Sequence, residues 1–115
     1  TLYLFDGDPD PNKITIHYKM KNKEGDFGTI TFGEWTFIAV TYDGSQLSGF
    51  INGAKTKSVS ASGEFTYTNN KVVIGNLYSG ISTNHMDGFI DEFYLYDKAL
   101  TDEEIRQLYL QTGGT

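Results

Sequence analysis

MDGFIDEFYLYDKALTDEEIRQLY, residues Met86 to Tyr109, decides how the rest of the chain is read. It opens with strand alternation. Phe89, Asp91, Phe93 and Leu95 fall on one face, and Ile90, Glu92, Tyr94 and Tyr96 on the other. After Asp97-Lys98 the period changes to that of a helix with a full start signal. Thr101 is a good N-cap, Glu104 three residues on closes a capping box, and Leu100 can staple onto Ile105. Asp102 and Glu103 add negative charge to the first turn, where the helix dipole favours it. Ile105, Leu108 and Tyr109 then make one apolar stripe. The spacing predicts a central strand closed off by a short helix that packs on its neighbours.

Upstream, short strands dominate. Leu2 to Phe5 is apolar and is followed by Asp6 to Asn12, where Pro9 and Pro11 forbid a central strand. Ile14, Ile16 and Tyr18 alternate with Thr15 and His17 as a half-buried strand. Lys19 to Asp26 reads as a charged loop, and Thr29 to Phe32 leads through Gly33-Glu34 into Trp35 to Tyr42. In that strand Trp35, Phe37 and Ala39 oppose Ile38, Val40 and Tyr42, which places it centrally. Asp43-Gly44 and Asn52-Gly53 are hairpin signals, because a type I′ turn needs positive φ at both central residues. Ala54 to Ala61 reads as an exposed edge strand guarded by lysines. Glu64 to Thr68 and Lys71 to Gly75 are two further short strands, and Asn76 to Asp87 is a long polar loop.

Four segments in order, WTFIAVTYDG at Trp35 to Gly44, FING at Phe50 to Gly53, VIG at Val73 to Gly75 and GFIDEF onward from Gly88, resemble laminin-G-like domains. The resemblance implies an all-β, antiparallel jelly-roll sandwich of the concanavalin A-like type with one short C-terminal helix. Family members are longer than this chain, and the matched segments belong to their second half. Residues 1–115 are therefore expected to form one laminin-G-like domain or its C-terminal portion, with 112–115 as a flexible tail. Two arrangements stay open: a compact minimal sandwich, or an incomplete one whose missing strands come from a neighbouring chain.

Composition narrows the function classes. The chain has 115 residues and a net charge of −6, which argues against a phosphate-backbone partner. No apolar run approaches about 18 residues, so no membrane-inserting helix is expected. The absence of cysteine excludes disulfides and thiolate-bound zinc and leaves the compartment open. The chain begins at Thr1 without Met, as a processed or excised piece would.

The candidate sites each have a plain alternative. In the resembled family an Asp in the I-D-E position helps bind a structural calcium, which makes Asp91 the metal candidate, with Asp6 of Phe5-Asp6-Gly7 as its partner. The alternative for Asp91 is a hydrogen bond to loop N–H groups. Asp6, Asp8, Asp10 and Asn12 also gather hard oxygens, but Pro11 stands where an EF-hand needs Gly. Asn76, Tyr78, Asn84 and His85 offer the amides, ring and donors that sugar recognition uses, or an ordinary solvated loop. Lys13, Lys19, Lys21 and Lys23 form a local basic patch or a solvated loop. No catalysis is expected: glycosidases need two carboxylates on one face, and Asp91 and Glu92 are adjacent.

Two readings follow. One is a non-catalytic binding or adhesion module, extracellular or on a cell or virion surface, recognising a glycan or a surface protein. The other is a structural subunit or decoration of a surface assembly, completed by strand addition from a neighbouring chain.

Overall fold

The computed structural model describes residues 2–5, 13–19, 24–31, 33–61 and 89–112; of the first strand and most of the second it describes the backbone alone. The chain divides into two compact units, Thr1–Gly63 with Tyr96–Thr115, and Glu64–Leu95. The first carries six strands and one helix. Strands β1 (Leu2–Phe5), β2 (Lys13–Lys19) and β3 (Glu24–Thr31) form one antiparallel sheet in that order. Strands β4 (Ile38–Tyr42), β5 (Gln46–Ile51) and β6 (Ala54–Ser60) form a second, with β5 in the middle.

The turns explain why β5 is central. Asn52 and Gly53 both take positive φ, at 51° and 81°, so the Ile51↔Ala54 hairpin closes on two residues. At the other end the Asp43 carboxylate accepts from the Ser45 and Gln46 backbone N–H groups at 2.8 and 2.7 Å, fixing the turn between β4 and β5. With a tight turn at each end, β5 pairs on both sides. Trp35 to Tyr42, read as one central strand, is strand only from Ile38, and among the described residues β4 pairs with β5 alone.

A single extra residue in each sheet sets which side chains meet. Between Ile16 and His17 the pairing steps from Gly28 to Asp26, so Phe27 is the bulged residue of β3. The bulge turns Phe27 inward, only 2 % exposed, with its ring centroid 4.7 Å from that of Tyr18. Gly25 completes the fit, since a Cβ there would sit 2.8 Å from the Tyr18 hydroxyl. Glu24 to Asp26, expected in a charged loop, thus belong to β3, with Glu24 and Asp26 outward and Gly25 under the Tyr18 ring.

The two sheets meet closely at Gly49. Gly49 of β5 lies against the Phe27 ring, and any Cβ at that position would fall on the ring itself. Ile16, Tyr18, Phe27 and Leu47 make the core between the sheets, with Val40, Ile51 and Val59 among the half-buried residues around it. Full burial of each such side chain is worth about 1.5–3 kcal/mol.

In β6 the pairing steps from Lys57 to Lys55, leaving Thr56 extra, with its hydroxyl donating to the Gly49 carbonyl at 3.2 Å. The two lysines therefore face opposite ways. Lys57 reaches toward the Tyr18 ring in the inter-sheet core, and Lys55 toward the Phe50 ring on the far face.

That far face is covered by α1 (Asp102–Gln111). Thr101 and Glu104 form the capping box reciprocally, at 3.1 and 3.0 Å. Ile105 is the one buried residue of the helix. Lys55 pairs with Asp102 at 3.0 Å, but both are well exposed, so the pair is worth under about 1 kcal/mol and apolar burial holds the helix down. Thr112, expected to open a flexible tail, instead closes the helix: its N–H donates to the Leu108 carbonyl at 3.0 Å.

Candidate functional site

Asn76, Tyr78, Asn84, His85 and Asp6 lie outside the described residues, as do the expected strands at Glu64 to Thr68 and Lys71 to Gly75. Asp91 is described, in the second unit, and it departs from expectation. Phe89 to Leu95 belongs to no strand, and Glu92 has a φ of 54°, which breaks the two-residue alternation. Ile90 and Phe93, expected to be buried around Asp91, are 50 % and 56 % exposed. Asp91 is itself exposed, so burial does not demand a ligand for it. The opposite-face argument for Asp91 and Glu92 lapses with the broken alternation.

Calcium requires six to eight oxygens at one point. Among the described residues no three His, Asp or Glu side chains gather in that way. Asp6, the expected partner of Asp91, lies outside the described residues.

What the structure does assemble is a corner of the first unit where a loop, a turn and the helix meet. Gly33 turns the chain with a φ of 83°. Four residues on, the Phe37 N–H donates to the Asn52 Oδ1 at 3.0 Å, while the Asn52 N–H donates to the Phe37 carbonyl at 2.9 Å. This reciprocal pair locks the loop to the β5–β6 turn. The Phe37 ring lies 5.7 Å from that of Tyr109 on α1, and Gly53 sits beneath the Tyr109 ring, where a Cβ would come within 2.8 Å. Trp35 rides on this anchored loop with 71 % of its surface exposed. The sequence reading placed Trp35 inside a strand; the break at Gly33-Glu34 and the pairing capacity of Asn52 were the signals against it.

Two other features have settled chemistry. Hydrogen bonds from the Ser45 and Gln46 backbone, then from the Ser45 hydroxyl, hold the Asp43 carboxyl below its usual range. The Thr101 backbone N–H and hydroxyl do the same to Glu104. A shallow groove of about 290 Å³ runs along α1 beside Tyr96, Leu100 and Leu108. Its acidic edge is already engaged, Glu104 in the cap and Glu103 with Arg106 and Gln107 at 3.1 and 2.9 Å.

Comparison with known proteins adds three findings. A laminin-G-like family model, described as the concanavalin A-like lectin/glucanases superfamily, matches residues 2–106. Human pappalysin-1 (Homo sapiens) is 31 % identical over 75 residues, 64 % of this chain and 5 % of pappalysin-1. The crystal structure of an S-layer domain-containing protein from Clostridium thermocellum is similar with a TM-score of 0.60 and 26 % identity. That similarity covers 84 % of this chain and 51 % of the solved one, so the chain spans about half of that relative and a small part of pappalysin-1.

Proposed function

The chain belongs to the concanavalin A-like lectin/glucanases superfamily, and from that premise we propose a non-catalytic binding or adhesion module, acting outside the cell or at a surface, that recognises a glycan or a surface protein. The observation that carries the reading is the family match across residues 2–106. Support for a surface location comes from the S-layer domain-containing relative. Among the described residues no helix is long and apolar enough to cross a membrane. The non-catalytic part is a proposal that incubation of the whole chain with glycosidic substrates tests, with no hydrolysis as the expected result. A glycan array probed with the whole chain, with calcium and with chelator, tests the reading. Binding to a defined glycan class is the expected result. No binding to glycans or to surface-protein extracts contradicts it.

A structural subunit of a surface assembly is a second reading, favoured by the same S-layer domain-containing relative. Here a neighbouring chain completes the sandwich. Light scattering separates the two: a 12.9 kDa monomer contradicts completion in trans, and a defined oligomer supports it.

A further inference from the structure

We propose that Trp35, next to Glu34 on the loop that Phe37 ties to Asn52, is a stacking platform for a neutral saccharide, an assignment that rests on the glycan form of the reading above. Singly exposed apolar residues are ordinary on protein surfaces. Trp35 differs in how it is held. Its loop is tied to the β5–β6 turn by the reciprocal Phe37–Asn52 hydrogen bonds, and Phe37 is backed by the Tyr109 ring. A large rigid ring on an anchored loop loses little conformational freedom on binding, so more of the contact energy reaches affinity.

The surroundings are open and polar. Glu34 and Trp35 are both exposed. Among the described residues neither the Glu34 carboxylate nor the Asn52 side-chain NH₂ meets a partner, while the Asn52 Oδ1 accepts from the Phe37 N–H. One accepts and the other donates, as ring hydroxyls require. The indole face is electron-rich and apolar, and attracts the weakly positive C–H face of a pyranose. Charge selects among glycans: the −6 net charge and Glu34 itself repel sulfated or carboxylated sugars. A protein partner fits less well, because Glu34 and Thr36 give Trp35 no apolar surround of the kind an interface core has.

Trp35 is the sole tryptophan, so emission excited at the red edge of its absorption, where the eight tyrosines do not absorb, reads this site alone. The whole chain is titrated with gluco-, manno-, xylo- and N-acetylchito-hexaose, following emission and acrylamide quenching. The expected result is a blue shift and protection from quenching by one or more sugars. Trp35→Ala then weakens that sugar about tenfold or more, while Trp35→Tyr keeps part of the affinity. Sugar binding that leaves emission and quenching unmoved overturns the platform and leaves the glycan reading standing. Absence of binding across both the panel and the array overturns both. The fluorescence arm needs no variant, so it decides the matter even if Trp35→Ala folds poorly.

Discussion

Gln46 to Ser60 and Phe89 to Leu95 both mix apolar and polar residues, yet among the described residues only the first forms strands. The second is the more apolar of the two. Phe89 and Leu95 are nonetheless about four-fifths exposed, whereas Leu47 and Phe50 are buried. Hydrophobic period supplies a face, but a strand also needs a hydrogen-bonding neighbour delivered at a fixed register. Asn52-Gly53 delivers one to β5 within the same short segment. Phe89 to Leu95 has no strand pairing among the described residues, so its apolar content alone does not make it a strand.

This contrast is sharpest in the core between the sheets. Phe27→Ala should destabilise the fold by about 3–5 kcal/mol in urea melts, because the ring that meets Gly49 leaves a cavity. Gly49→Ala should cost about 1–3 kcal/mol or more, since its Cβ falls on that ring. Thr101→Ala removes the N-cap acceptor and should cost about 1 kcal/mol, read as a lower melting temperature. Phe89→Ser and Leu95→Ser should each change stability by less than about 0.5 kcal/mol, as exposed substitutions do. A loss near that of Phe27→Ala at either position breaks the comparison.

Acid adds a smaller, directional test. Asp43 and Glu104 have folded-state pKa values below their unfolded ones, owing to backbone hydrogen bonds at the turn and the cap. Each therefore contributes stability above its unfolded pKa, and that contribution is lost as pH falls through the folded value. Asp43→Asn should lower stability at neutral pH and flatten its decline in acid, measured as melting midpoints across an acid series.

The parts of the fold that were readable in sequence are those whose signal is local. The capping box of Thr101 and Glu104, the Asn52-Gly53 turn and the lysine-guarded edge at β6 each lie within a few residues. The bulges at Phe27 and Thr56 were not readable, because each exists only relative to a partner strand. Trp35 was misread for a similar reason: what excludes it from β4 is the hydrogen bonding of Phe37 to Asn52, fifteen residues away. Of the candidate site residues only Asp91 is described, and its exposure follows from the missing ladder around it.

Hydrogen–deuterium exchange at single-residue resolution tests the contrast most directly. The account predicts slow exchange for amides of Gln46 to Ile51, held between two neighbours, and fast exchange for Phe89 to Leu95. Protection of Phe89 to Leu95 equal to that of β5 would contradict it, and would return that run to the centre of a sheet.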